Sequence, residues 1–183
     1  MGQTDQGADD LDNALPSAAL ETLKGDYKKN GGRAEMTKVL VSTLPRTYVF
    51  ATEYVQAIGD LLYASDLPEE DDIGLRSRLS VQDRERCLVA VLACHEAALP
   101  LAIHIYIALM EGVLPQEIAH ILLLAGIYGG VDRLTNGLKT EMAVLTLLKD
   151  TVTAGGPFNP TAIVVALSKE FPIAFPPPPA SGK

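Results

Sequence analysis

Apolar residues recur at intervals of three and four through most of this chain, which is the spacing of one face of an α-helix. A clear example is the stripe that begins at Val49 and ends at Leu62. The sequence lacks alternating Val, Ile and Thr runs separated by Asn-Gly turns, which would indicate β-hairpins. The pattern therefore predicts an all-α fold, a compact helical bundle.

Proline, glycine and capping residues divide this pattern into separate helices. Ser80 can cap the first turn of a helix, and Asp83 follows it three residues later in that turn. Pro100 must interrupt the apolar run that comes after this helix. The predicted helices run from Pro16 and Ser17 to Asn30, over about 34–43, onward from Pro45, from Ser80 to about Cys94, over about 100–111, from Pro115 to about Tyr128, from Val131 to about Thr151, and from Pro160 to Glu170.

The two ends of the chain differ in composition from the middle. Residues 1–14 are rich in Asp, Gly and Gln, and residues 172–183 contain the proline run 176–179. Neither segment carries the apolar residues that a core needs. We predict an acidic tail at 1–14 and a proline-rich tail at 172–183, both disordered, around a single helical domain at 15–171.

Charge and hydropathy exclude two classes of partner. The chain of 183 residues has a formal net charge of −8, so it repels nucleic-acid phosphates, and no basic cluster offsets this charge. Uninterrupted apolar runs are shorter than the roughly 20 residues that a membrane span needs. The N-terminus has neither the basic start nor the apolar core of a secretory signal. We therefore expect a cytoplasmic protein that binds neither nucleic acid nor membranes.

The only two cysteines are Cys87 and Cys94, seven residues apart in a helical pattern. Two helical turns separate them by roughly 10 Å along the axis, too far for a disulfide. Without a CxxC pair or a zinc-type spacing of Cys and His, the sequence predicts no metal site. We expect both thiols to be small, buried core residues.

Ionisable residues stand out in the apolar block 80–148. A buried ionisable group loses its hydration, so it needs a hydrogen-bonding or charged partner. Burial also shifts the pKa of such a group, and proton-transfer sites use groups with shifted pKa values. A satisfied core histidine or an ion-paired helix residue is the alternative interpretation at each position. The residues in question are Glu85, His95, Glu96, His104, Glu117 and His120.

The order of several motifs resembles the carboxymuconolactone decarboxylase family, which includes the alkyl hydroperoxidase D-like proteins. The similarity covers about residues 79–148, and it implies an all-helical bundle of the alkyl hydroperoxidase D-like type that assembles as a homo-trimer or homo-hexamer. The motifs are Asp83-Arg84-Glu85-Arg86, His104-Ile105, Ala108-Leu109-Met110-Glu111-Gly112-Val113, Pro115-Gln116-Glu117-Ile118 and Tyr128-Gly129-Gly130.

The resemblance also separates two chemistries. In the peroxidase branch, Glu and His residues at the positions of Glu85 and His104 serve a CxxC pair, but those two cysteine positions are Ala97 and Pro100 here. The decarboxylase branch lacks that pair and uses no cofactor. Leu114 replaces the usual capping Thr, and His120 lies where a second Glu is common, so this chain departs from the family at two further positions.

The resulting hypothesis is a cofactor-free lyase or isomerase acting on a small unsaturated carboxylic acid or lactone. In this hypothesis His104 carries the proton, Glu85 fixes its tautomer and His120 adds a second proton carrier. Two alternatives remain open at this point: a peroxidase that uses Cys94, and a helical scaffold without catalysis.

Overall fold

The computed structural model describes residues 11, 13–32, 35–36, 79–95, 97–155 and 158–172. Within these residues the regular secondary structure is entirely helical, which confirms the predicted fold class. The predicted helices at 34–43 and from Pro45, together with Glu96, lie outside the described residues, apart from Glu35 and Met36. Six helices have defined bounds: α1 Ser17–Lys29, α2 Val81–Cys94, α3 Ala98–Met110, α4 Pro115–Gly129, α5 Val131–Thr153 and α6 Pro160–Glu170.

A capping hydroxyl, a proline and two glycines determine where several of the helices begin and end. The Ser80 hydroxyl accepts a hydrogen bond from the Asp83 backbone amide at 3.1 Å and so caps α2 as predicted. Pro100 is the third residue of α3, within the first turn, where a helix requires no amide donor. Gly112 and Gly130, with φ of +95° and +101°, turn the chain after α3 and after α4 in a conformation that glycine adopts without strain.

Helix α3 is the centre of the bundle. It packs against α1, α2, α5 and α6, and from Leu101 to Met110 every residue except His104 is buried. Tyr106 extends the core towards α1, since its ring meets Tyr27 edge-on with 6.1 Å between centroids. Beyond its first turn α3 is enclosed almost all round, and His104 is the residue between Leu101 and Met110 that meets solvent.

Helices α4 and α5 form a hairpin that relies on two glycines. An added Cβ at Gly126 would lie 2.5 Å from the Cβ of Leu134, and one at Gly137 would lie 2.9 Å from Leu122. At Gly126 the helices therefore approach more closely than they could with a side chain, whereas at Gly137 an added methyl group would require the Leu122 side chain to move. This close contact fixes α5 against the rest of the bundle.

Packing at the N-terminal end begins inside the segment that we assigned to a tail. Leu11 and Ala14 are partly buried against the core, and the Leu15 amide donates to the Leu11 carbonyl at 3.0 Å. Residues 1–10 and 173–183 lie outside the described residues. Among the described helices, none combines the length and the apolar composition required to cross a membrane.

The core contains a carboxylic acid that the sequence analysis did not identify. Glu141 on α5 is fully buried, and neither of its carboxyl oxygens has a hydrogen-bond partner in the described structure. It lies among the apolar positions of α5, four residues after Gly137 and four before Leu145. Burial raises the pKa of Glu141 to about 8, so the acid is protonated in the folded chain at neutral pH.

We expect Gly126→Ala to destabilise the fold by about 1–3 kcal/mol, because the new methyl group would collide with Leu134. Gly25→Ala is the matched control. It lies within α1 with no atom near the added Cβ, so the better helix propensity of Ala should stabilise the fold by about 0.5–1 kcal/mol. Urea unfolding followed by circular dichroism measures both, and equal effects of the two substitutions would contradict the close α4–α5 contact.

Glu141 should make stability depend on pH between about 4.5 and 8. The folded-state pKa lies above the ordinary value of 4.5, so ionisation opposes folding. The stabilising contribution of the protonated acid is complete below about pH 4.5 and is lost as pH rises through about 8. Over this range the free energy of unfolding should fall by several kcal/mol. Glu141→Gln should flatten this part of the plot of unfolding free energy against pH. Identical plots for the natural chain and the variant would contradict the burial of this acid.

Candidate active site

Glu85 and His104 meet across the contact between α2 and α3. Nδ1 of His104 lies 2.8 Å from Oε2 of Glu85, which is a strong hydrogen-bonding distance. The Glu85 side chain is 1% exposed and the His104 side chain 16% exposed. The sequence hypothesis placed these two residues together, and the structure brings them into direct contact.

The chemistry of the two groups fixes the direction of the hydrogen bond. An ionised carboxylate can only accept, so Nδ1 of His104 carries the hydrogen and donates it to Glu85. In the neutral imidazole this leaves Nε2 with a free lone pair. The pair is therefore arranged as a base whose tautomer and ring orientation are fixed by a buried carboxylate.

The helical pattern explains how the pair is positioned. Glu85 lies on the face of α2 that also carries the buried residues Val89 and Ala93, four and eight positions further along. That face packs against α3. The contact between the two helices brings Glu85, near the start of α2, beside His104 in the middle of α3.

His104 shares its face of α3 with Pro100, which precedes it by one turn. Ala97 immediately precedes the helix as its N-cap residue. Pro100 is exposed and Ala97 is partly exposed. These two positions therefore carry small apolar groups, where the family resemblance raised the possibility of thiols.

A second polar cluster joins the start of α2 to the start of α4. Arg86 contacts Asp83 at 2.8 Å and Glu117 at 3.3 Å, and Glu117 also accepts a hydrogen bond from the Leu114 backbone amide at 3.1 Å. The Leu114 amide and Arg86 together lower the pKa of Glu117. Glu117 therefore caps the start of α4 and pairs with Arg86. This matches the ion-paired helix residue that the sequence analysis gave as the alternative to a proton-transfer role.

The other two histidines lie on the surface. His120 on α4 and His95 at the end of α2 are both exposed. Within the described residues His120 has no recorded hydrogen bond or ion pair, and nothing joins it to the Glu85–His104 pair. The role of His120 as a second proton carrier stays a prediction.

The expectation that both cysteines are buried is wrong, because Cys87 and Cys94 are exposed free thiols. They lie about 200° and 180° around α2 from Glu85, since each residue advances a helix by about 100°. Both thiols line a groove against α4 instead, and Cys94 lies beside Gly129. The sequence analysis assigned both thiols to the core and so missed that the face of α2 that carries them is open.

The part of the chain with described coordinates contains no group of three or more His, Cys, Asp or Glu residues able to bind a metal ion. Two cavities among the described residues, of about 490 and 350 Å³, are lined by neither His104, Glu85 nor His120. Access to the pair is therefore through the exposed edge of the imidazole.

The comparisons with known proteins agree with this architecture. Residues 66–140 match the sequence model of the carboxymuconolactone decarboxylase family. No curated protein and no solved structure matches the chain. The match includes Glu85, His104 and the start of α5, so it spans the helices that form the candidate site. Residues 66–140 of this chain are therefore a carboxymuconolactone decarboxylase family domain.

Proposed function

We propose that this protein is a cofactor-free lyase or isomerase that moves a proton on a small unsaturated carboxylic acid or lactone. The observation that carries the proposal is the 2.8 Å contact between the partly exposed imidazole of His104 and the buried carboxylate of Glu85. The family domain supports the general class, and the proton-transfer chemistry is our inference from the pair. A cytoplasmic site of action is part of the proposal, and the two free thiols suit a reducing compartment.

An isomerisation requires only the neutral form of the pair. Nε2 of His104 removes a proton from a carbon next to the conjugated system, and the electron pair spreads into the acid or lactone carbonyl. The same nitrogen then returns the proton to a different carbon. While His104 is positively charged, the Glu85 carboxylate stabilises it through the Nδ1 hydrogen bond.

A decarboxylation requires the imidazole of His104 to be protonated at the start, whereas the isomerisation requires it to be neutral. The substrate carboxylate leaves as carbon dioxide, and its bonding electrons form a dienolate. The imidazolium of His104 then donates the Nε2 proton to carbon, so the reaction consumes one proton and releases one carbon dioxide. Glu85 supports the proton donor before transfer and the correct neutral tautomer afterwards.

The arrangement of the thiols argues against the peroxidase alternative. A peroxidase that used Cys94 together with His104 would need both on one side of α2, but Cys94 lies about 180° around the helix from Glu85. Both cysteines of the chain lie on that far side of α2. The pair therefore has no thiol beside it and is suited to proton transfer.

We expect the protein to turn over members of a panel of small unsaturated acids and lactones. Loss of the conjugated ultraviolet absorbance and release of carbon dioxide measure this turnover. His104→Gln should lower kcat by about 100-fold or more, because it removes the proton carrier. Glu85→Gln should lower it by about 10- to 100-fold, because a neutral amide orients the ring but supports its charge poorly.

His95→Gln is the matched control, since His95 is exposed at the end of α2. It should leave turnover unchanged, and circular dichroism should show that all three variants fold. Full activity in His104→Gln would refute the proposed role of the pair. Peroxide consumption that disappears in Cys94→Ser, with no turnover of any acid or lactone, would replace the proposal with the peroxidase alternative.

A further inference from the structure

The smaller of the two cavities lies where α5 passes the end of α2, the start of α3 and the end of α6. We call it the α3/α5/α6 pocket. Its volume is about 350 Å³. Ligand pockets span about 300–1,000 Å³, so this volume is near the lower limit and suits a molecule about the size of an amino acid.

The wall of the pocket contains two side chains of opposite charge. Lys139 belongs to α5, and Glu170 is the last residue of α6. Within the part of the chain that the structure describes, neither side chain makes a hydrogen bond or an ion pair, even with the other. A cation and an anion that line one cavity without meeting can each bind a ligand group of the opposite charge.

A side-chain amide lies beside the cationic group. Asn136 precedes Lys139 by three residues on α5, so the two are neighbours on one face of the helix, and both line the pocket. The Asn136 side chain also makes no hydrogen bond among the described residues. Its NH₂ group can donate to the same oxygen ligand that the Lys139 ammonium attracts. The α5 wall therefore offers the two kinds of donor that suit a carboxylate.

The rest of the wall is apolar. Leu101 is a buried core residue, and Phe171 is partly buried against the core. Three alanines, Ala93, Ala98 and Ala143, complete this part of the lining. Their methyl groups leave open the space that larger side chains would fill. The pocket can therefore hold an apolar group against Leu101 and Phe171.

This combination of groups selects a ligand that carries both charges. An anion alone would leave Glu170 unpaired beside it, and it would approach a chain whose net charge is −8. An amine alone would leave Lys139 unpaired. A zwitterion has no net charge and satisfies both side chains.

We propose that the α3/α5/α6 pocket binds a small amino acid with an apolar side chain. The carboxylate of the ligand lies at Lys139 and Asn136, and its ammonium lies at Glu170. Its side chain packs on Leu101 and Phe171.

This pocket is separate from the candidate active site. Neither Glu85 nor His104 lines it. Binding is measured without turnover, so the result does not depend on the proposed lyase or isomerase activity.

Isothermal titration calorimetry on the full chain tests the proposal with three probes that share one branched apolar body. Leucine carries both charges, isocaproate lacks the ammonium, and isoamylamine lacks the carboxylate. We expect leucine to bind about tenfold more tightly than either singly charged probe, because each of those probes loses one charge-assisted hydrogen bond.

Two variants assign the charges of the ligand to the side chains. Lys139→Gln should weaken leucine binding about tenfold and remove the preference for leucine over isoamylamine. Glu170→Gln should weaken it by a similar factor and remove the preference for leucine over isocaproate. Lys169→Gln and Asp150→Asn are the matched controls, since both side chains are exposed and neither lines the pocket. These controls should bind leucine as the natural chain does.

A third variant tests the cavity without changing any charge. Ala143→Leu should fill the pocket and abolish leucine binding, while circular dichroism shows that the helices are retained. His104→Gln should bind leucine with the affinity of the natural chain, because His104 does not line the pocket.

Four results would overturn the proposal. The first is a natural chain that binds none of leucine, methionine and phenylalanine. The second is equal affinity for leucine, isocaproate and isoamylamine. The third is unchanged leucine binding in both Lys139→Gln and Glu170→Gln. The fourth is loss of leucine binding in His104→Gln, which would assign the ligand to the candidate active site.

Discussion

The site depends on one hydrogen bond, from the His104 imidazole to the Glu85 carboxylate. A carboxylate that is 1% exposed has almost no water around it, so its charge must be stabilised by the protein. His104 provides a donor at 2.8 Å, and the packing of α2 on α3 holds the two residues at that distance. Burial gives the Glu85 carboxylate a desolvation cost. It also strengthens the interaction of this carboxylate with His104, because an electrostatic interaction is stronger where water is excluded.

Helix α2 separates two surfaces with different roles. One face carries Glu85 and packs against the central helix α3, where His104 reaches solvent. The opposite face carries Cys87 and Cys94 and forms one wall of an apolar groove against α4. This division explains why the chain has a Glu–His pair without a thiol beside it. The candidate site and the groove therefore lie on different sides of one helix.

Much of the fold could be predicted from the sequence because helix ends have local causes. Ser80 before α2, Pro115 in the first turn of α4 and Gly130 between α4 and α5 all determine boundaries through nearby backbone groups. The contact between Glu85 and His104 joins residues 19 positions apart. Helical spacing alone does not predict such a contact, and the family resemblance suggested it.

The errors arose where burial depends on neighbours that are distant in sequence. Cys87 and Cys94 lie in an apolar segment, so they were assigned to the core, but the face of α2 that carries them lies along a groove. The opposite case is the buried Glu141, which the sequence analysis did not single out. Its position between Gly137 and Leu145 on the apolar stripe of α5 was the available signal. Composition tells which residues prefer the core, and only the packing tells which faces are covered.

The central claim is that buried Glu85 holds His104 with its hydrogen on Nδ1 and its free lone pair on Nε2. Nitrogen-15 NMR of the imidazole measures this directly at a pH where His104 is neutral, because protonated and unprotonated ring nitrogens have well-separated shifts. The account predicts a protonated Nδ1 and an unprotonated Nε2 in the natural chain, with loss of that preference in Glu85→Leu. A neutral His104 that carries its hydrogen on Nε2, or the same tautomer in both proteins, would contradict it.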